Sequence, residues 1–441
     1  MVRGTLALAA AIVIAAAARP VTWSDLTPAV QARLEQAGVT AAGFDAKVAD
    51  LDRSARSRVL EGDYDHLIFY ILQSTHFTTL PPIEPALSAR RAITAAMTDR
   101  QPLPLPADVE ARVSAFLAAI DARDDDPRLA YFRSLMANSR EMPLEMRKKV
   151  VALQYTRAMW FLHFKEFAAA KAGHAEQLYE SRGLSTDTEV EAGYAVQVGL
   201  GVLKGLEPSK RIRRVLIVGP GMDLAPRTGM LEAGPPESYQ PWAVIDALVS
   251  LGLSKMDDLV VVGADINPRV VDHLRASVAT PPELRLVSGL GASDTVTLTS
   301  GYREYFAALG GSVGQAAAGG VGGAPAGHLS KAVRVSAAAA RALRAEPLDI
   351  VTEQLSGETF DLIIATNILP YFDHVERLLA LSNIAGMLAP GGVFLHNDAR
   401  PEVLEDAAAA GLAGEQLRQV TIAEVKGAPP LGDTIVLHRR R

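Results

Sequence analysis

The strongest constraint on this chain is Arg214-Val-Leu-Ile-Val-Gly-Pro-Gly221, an apolar run that ends in a glycine bend. An unbroken aliphatic run suits a strand buried on both faces, as in a parallel sheet. Glycines at its end let the backbone approach a ligand with no Cβ between them. Alone the bend is weak evidence, because the same turn serves several ligands and many purely structural corners.

From Arg213 onward strands and helices alternate, which predicts a parallel sheet covered on both faces. Leu259-Val-Val-Val-Gly-Ala-Asp265 is a second apolar strand that ends in an acid, ahead of Ile266-Asn267-Pro268 and a helix. A carboxylate there can accept two hydrogen bonds from ribose hydroxyls. The alternative is that Asp265 caps the helix that follows. Pro347-Leu-Asp349-Ile350 precedes the strand Asp361-Leu-Ile-Ile-Ala-Thr-Asn367. Asp349 is placed to reach an adenine amine with Ile350 against the ring; a solvated loop acid is the other reading. Leu388-Ala-Pro-Gly-Gly392 breaks a helix and starts the strand Val393-Phe-Leu, and Gln419–Val425 with Asp433–His438 read as a final antiparallel pair.

These motifs, in this order over about 250 residues, resemble the class I S-adenosylmethionine (SAM)-dependent methyltransferases. The resemblance implies an α/β, Rossmann-like sheet of seven strands in the order 3-2-1-4-5-7-6, with SAM as cofactor. It implies Gly219 and Gly221 as the first motif, Asp265 with Ile266 at the ribose, and Asp349 with Ile350 at the adenine. Two positions depart from the family pattern. Ile217 stands where an acid is common, and Asp223 stands at the third glycine, where it is a candidate contact for the amino-acid end of SAM.

Asn367-Ile-Leu-Pro-Tyr371-Phe372 resembles a run in chemotaxis-receptor carboxyl methyltransferases and, more loosely, the Asn-Pro-Pro-Tyr motif of amino-group methyltransferases. At a fourth-strand end Asn367 and Tyr371 would face the methyl donor, and they are the candidate catalytic pair. A cap and a core aromatic are their ordinary roles. Methyl transfer chiefly needs alignment, and a base only where the acceptor is protonated. No catalytic triad is visible. The acceptor, a small molecule or a protein side chain, is not named by these residues. Glu237-Ser-Tyr239-Gln240-Pro-Trp242 is a polar-aromatic cluster to follow for acceptor specificity.

At 441 residues the chain exceeds one ordinary domain. Three parts are expected: 1–19, a helical domain over 20–184, and a methyltransferase domain over 185–441 with insertions at 222–257 and 276–346. Within the helical part, Leu26 to Leu51 reads as one helix capped by Ser24-Asp25, and Asp63 to Ser74 as another. Pro81, Pro82 and Pro85 make a stiff connector. Further helices are expected at 107–122, at 126–138 and, as one long helix or two, over Leu144 to Arg182. The last carries Trp160, Phe161, Phe164 and Phe167 on a core-facing stripe. Leu309 to His328, rich in Gly and Ala and nearly free of charge, is expected to be a mobile loop.

Residues 1–19 pair one early positive charge with a short apolar run ending in Ala16-Ala17-Ala18, the layout of a secretory signal peptide or a membrane tether. An alanine-rich helix is the alternative. Export conflicts with a cofactor made in the cytosol, so the segment points outward and SAM points to a cytoplasm-facing domain. A net charge of -6 disfavours nucleic acid as a partner. No cysteine exists to form disulfides or thiolate metal sites, and no histidine pair has helical metal spacing. Two rival readings remain. A nicotinamide-dependent oxidoreductase shares the bend and the ribose acid, but Asp265 lies 44 residues after Gly221, where about 20 is usual. A non-catalytic binding module could keep the same fold.

Overall fold

A computed structural model describes residues 18–96, 105–122, 126–165, 179–180, 182–224, 235–322 and 324–441. Most of the expected leader (1–17), Phe167, and parts of the 144–182 helix and of the 222–257 insertion lie outside the described residues.

The described chain opens on β1 (Ala18–Pro20), which pairs antiparallel with Glu353–Leu355. Arg19 is bonded to Asp25 at 2.8 Å and to Gln354 at 2.9 Å, so the end of the 1–19 segment is joined to the sheet-bearing half. Thr27 then caps α1 (Pro28–Gln36), accepting from the Val30 amide with proline at the first helical position. The single helix expected over Leu26 to Leu51 is therefore two. Gly38, at φ 83°, turns the chain out of α1, and the cap is Thr27 rather than Ser24-Asp25.

The second helix, α2 (Phe44–Gln73), runs thirty residues and absorbs the stretch expected at Asp63 to Ser74. The proline connector follows. Then come α3 (Pro85–Ala96), α4 (Ala107–Ala122), α5 (Pro127–Leu135) and α6 (Leu144–His163). The aromatic stripe on α6 is only partly core. Phe164 is exposed and stacks on Trp160 at 5.7 Å between ring centres.

After α7 (Val190–Leu206) the α/β half alternates as expected. Its elements are β2 (Arg214–Val218), α8 (Gln240–Ser250), β3 (Val260–Asp265), α9 (Pro268–Ala279), β4 (Glu283–Gly291), β5 (Val296–Leu298) and α10 (Ser300–Ala308). They continue as β6 (Gly314–Ala316), β7 (His328–Val335), α11 (Ala337–Ala342), β8 (Leu343–Pro347), β9 (Glu353–Leu355) and β10 (Phe360–Ala365). The chain closes with α12 (His374–Met387), β11 (Leu388–His396), α13 (Pro401–Ala409), β12 (Leu412–Val425) and β13 (Leu431–Arg440).

The main sheet has the order β5-β12-β13-β11-β10-β2-β3-β8. Read from β2 as the first strand, this is 3-2-1-4-5-7-6 with β5 added at the edge. Strands β8, β3, β2, β10 and β11 are parallel, and β13 runs antiparallel between β11 and β12. The sheet thus has eight strands rather than seven. The extra one comes from the 276–346 insertion.

That insertion also builds a separate antiparallel sheet, β4-β7-β6, to which the stretch expected as a loop over Leu309 to His328 contributes Gly314–Ala316 and His328. A ladder needs backbone rather than bulky side chains, and here it needs glycine. A Cβ on Gly314 would sit 2.1 Å from the Arg334 carbonyl oxygen. Leu309 and Val313 are buried, and the Ser312 amide donates to Asp246 at 2.6 Å.

Alternation along each strand divides the core between the two faces of the sheet. Val215 and Ile217 of β2 pack with α7 and α8, whereas Leu216 and Val218 pack with α1, α12 and α13. Helix α2 joins both cores: Phe44, Val48 and Leu51 belong to one, and Leu67, Ile68 and Ile71 to the other. It must therefore pass over an edge of the sheet, and its middle lies over the carboxyl ends of the strands.

Candidate functional site

The chain leaves β2 in one direction to form β3 and β8 and returns on the other side as β10. This reversal opens a crevice at the strand carboxyl ends. Gly219 donates its amide to the Ala264 carbonyl at 2.8 Å, which ties the bend to the neighbouring strand. Gly219 and Gly221 have φ of 64° and 66°. A Cβ on Gly221 would lie 2.5 Å from the Thr186 carbonyl oxygen.

Asp265 ends β3 beside this bend. One carboxylate oxygen accepts from the Asn267 amide at 2.8 Å, and the other faces the Gly221 amide at 3.4 Å. The helix-capping role falls to Asn267, whose side chain accepts from the Arg269 amide at 3.0 Å. Burial pushes the Asp265 carboxyl up to about 7, against the lowering effect of those two amides. Asp349 lies two residues past the end of the next strand, β8. Its carboxylate accepts from the Val351 amide at 2.9 Å and the Thr352 hydroxyl at 2.8 Å, and burial pushes it up to about 6.

Gly219, Gly221, Asp265, Ile266, Asp349, Ile350, Asn367 and Tyr371 line one largely apolar cleft of about 730 Å³. Asp223 does not line it. Its amide donates to the Glu237 carbonyl, and its carboxylate faces the Tyr239 hydroxyl at 3.3 Å and Arg128 at 3.8 Å. The bend turns Asp223 away from the crevice.

Sequence reading missed the cleft's other wall. Ala55, Arg58 and Val59 of α2 close it, together with Leu184, Ser185 and Thr186. Arg58 is the fastening point. It donates to Glu376 at 3.2 Å and to the backbone carbonyls of Tyr371 at 2.6 Å and Arg182 at 2.9 Å. Farther along α2, Asp63 accepts from the Asn267 side chain at 3.0 Å, two residues past Asp265. An acid and an arginine on one helix gave no local signal of partners more than 200 residues away.

A second, polar chamber of about 1200 Å³ adjoins the cleft and shares Ser185, Gly219, Asn367, Ile368 and Tyr371 with it. Asn367 is the one non-glycine residue at positive φ among the described residues, 60°. Such strain collects at functional sites. Its backbone amide donates to the Asn397 side-chain oxygen at 2.9 Å, and its own side-chain oxygen accepts from the Asn397 NH2 at 2.6 Å. Tyr371 lies edge-on to Tyr179, with its phenol beside Ser185 and pushed up by burial. Of the Glu237–Trp242 cluster, Gln240 reaches the chamber and donates to Thr366 at 2.7 Å; Trp242 is core. Among the described residues no group of acids and histidines has the arrangement of a metal site.

No protein-family model matches the chain, and no curated protein matches it. Solved structures similar to it include a TehB-like SAM-dependent methyltransferase from Corynebacterium glutamicum. That likeness has 15% identity over 56% of this chain and 88% of that one, with a TM-score of 0.27. The N-methyltransferase NodS from Bradyrhizobium japonicum, solved with S-adenosylhomocysteine (SAH), is 16% identical over 56% and 87%, with a TM-score of 0.29. Magnesium protoporphyrin IX methyltransferase from Synechocystis, solved with SAM, is 10% identical over 63% and 94%, also at 0.29. At such scores the fold assignment rests on the strand order observed here and not on these likenesses. That order, with β13 antiparallel between β11 and β12, is the class I methyltransferase fold.

Proposed function

We propose that this chain binds SAM in the apolar cleft and catalyses methyl transfer to an acceptor in the adjoining polar chamber. The observation that carries this reading is the placement of a bare bend and a buried carboxylate on adjacent parallel strands, facing one cleft. Asp265 is buried with only two amide donors, one of them distant, so its carboxylate has room for further hydrogen bonds. Two ribose hydroxyls would supply them. Ile350, buried on the cleft wall, gives an adenine ring an apolar face, and Asp349 a polar edge. The glycine bend lets its backbone border the cleft beside Thr186, with which a side chain at Gly221 would collide.

A sulfonium donor supplies the electrophile. The chain supplies position. Asn367 and Tyr371 stand at the junction of cleft and chamber, where donor and acceptor would meet. Helix α2 covers the nucleoside end and excludes water. Calorimetric titration of the full chain with SAM, SAH and NAD tests the assignment. SAM and SAH are expected to bind and NAD not. Binding of NAD alone would establish the oxidoreductase reading, and binding of none of the three a module without this cofactor.

A further inference from the structure

Hydrogen-bond bookkeeping around Asn367 fixes which end of its amide is committed. Asn397 donates its side-chain NH2 to Asp433 at 3.1 Å, and a carboxylate oxygen accepts. The Asn397 carbonyl oxygen accepts from the Asn367 backbone amide, which can only donate. Both neighbours therefore agree on the orientation of Asn397. Its second N–H, at 2.6 Å, then requires an acceptor, and that acceptor is the Asn367 side-chain oxygen. What Asn367 has left for a ligand is its NH2, a donor.

Arg182 lines the same chamber. Its side chain is nine-tenths buried, and its guanidinium carbon lies 4.0 Å from the Phe161 ring centre. Its Nε has no hydrogen-bond partner. That nitrogen faces Asp65 Oδ2 as an ion pair at 3.5 Å, while Asp65 Oδ1 accepts from Arg157 at 3.1 Å. A buried guanidinium nitrogen without a hydrogen bond is costly, and a carboxylate is the planar partner that matches the guanidinium. The chamber's own acids, Asp187 and Glu189, are exposed at its mouth, where water screens them. No histidine stands among the described residues of its wall.

We propose that the polar chamber takes a carboxylate-bearing acceptor, engaged by Arg182 and by the Asn367 NH2, and that the methyl group ends on that carboxylate as an ester. This rests on the SAM reading and adds the acceptor's chemistry to it. One carboxylate oxygen gives a lone pair to the methyl carbon of the sulfonium donor. The carbon–sulfur bond breaks with its pair left on sulfur. The products are a methyl ester and a neutral thioether, and no proton moves. The described residues of the wall include no buried base, which suits that reaction, whereas an ammonium acceptor would first have to lose a proton.

The test uses the full chain saturated with SAH. Phenylacetate, octanoate and N-acetylglutamate are each titrated against the corresponding amide and the amine of the same carbon skeleton. At least one acid is expected to bind tenfold or more tighter than its amide and amine. Arg182→Gln is expected to abolish that preference with SAH affinity kept, which also shows that the variant folds. With SAM in place of SAH, the bound acid should acquire a methyl group released by mild alkali as methanol. No preference for any acid, a preference for amines, or an acid preference that survives Arg182→Gln overturns this proposal alone. Failure of the wild-type chain to bind SAH overturns it together with the reading it rests on.

Discussion

The Asp265 carboxylate stands 3.4 Å from the Gly221 amide, so the ends of two neighbouring strands are linked through an acid and a bend 44 residues apart. Gly221→Ala attacks this link from the side of the bend. A non-glycine residue at φ 66° costs about 1–2 kcal/mol, and the new Cβ would sit 2.5 Å from the Thr186 backbone. The variant should bind SAH at least tenfold more weakly and melt at a lower temperature, as read by calorimetry and a thermal scan. Gly219→Ala should be milder in stability, because the obstacle there is the Ile368 side chain at 2.9 Å, which can rotate away.

Arg58 and Glu376 form a buried pair at 3.2 Å between α2 and α12. Removing one partner of such a pair typically costs about 3–5 kcal/mol, because the other charge is left uncompensated. Arg58→Ala should therefore destabilise the chain strongly and weaken SAH binding by loosening α2. The double variant Arg58→Ala, Glu376→Gln should recover part of the lost stability, since glutamine keeps the helix cap to Asp373 without the charge. Chemical denaturation of the four forms measures the coupling. Additive losses would show that the pair does not fasten the helix.

The pH dependence of cofactor binding follows from Asp265. Its carboxyl is held near 7 by burial, so it is largely protonated below that pH and ionised above it. Ribose hydroxyls bond best to the ionised form. SAH affinity should rise between pH 6 and 8, and Asp265→Asn should flatten the rise.

Stability in acid has a separate source. His396 and His438 stack at 5.0 Å in the core and are held neutral by burial, His438 down to about 4 and His396 well below its ordinary value. An unfolded histidine titrates near 6.5. The unfolded chain therefore binds more protons as pH falls below about 6.5, and the stability this pair contributes is complete above that pH and lost toward 4. Asp265, raised in the folded state, acts in the opposite sense over roughly pH 4 to 7. Comparing His438→Phe with Asp265→Asn in pH-dependent melts separates the two slopes: the first should reduce the loss in acid and the second increase it.

The sheet was legible because its strands are aliphatic runs whose ends carry distinctive residues: the glycine bend after β2, Asp265 after β3, Asp349 after β8 and the Leu-Ala-Pro-Gly-Gly break before Val393. All these cues are local. The cover of the site was not, since Arg58 meets Glu376 and Tyr371 across more than 300 residues of chain and nothing in the period of α2 records it. The break between α1 and α2 could have been found from Thr27-Pro28 and Gly38, a cap and a helix stop that an apolar count passes over. The short strand β6 within the 309–328 segment was missed for a different reason. Its glycines were counted as missing core, whereas Gly310 and Gly314 let β6 lie close against β7. Asp223 occupied a motif position by count alone, and the bend carries it away from the cleft.

Asp265→Ala, titrated with SAH beside the wild-type chain and checked by circular dichroism and thermal melting, probes the nucleoside site at its anchor. A folded variant whose SAH affinity has dropped at least tenfold is the expected result. A folded variant that binds SAH as tightly as the wild type would mean that the carboxylate does not hold the ribose, and the cleft would lose its assignment.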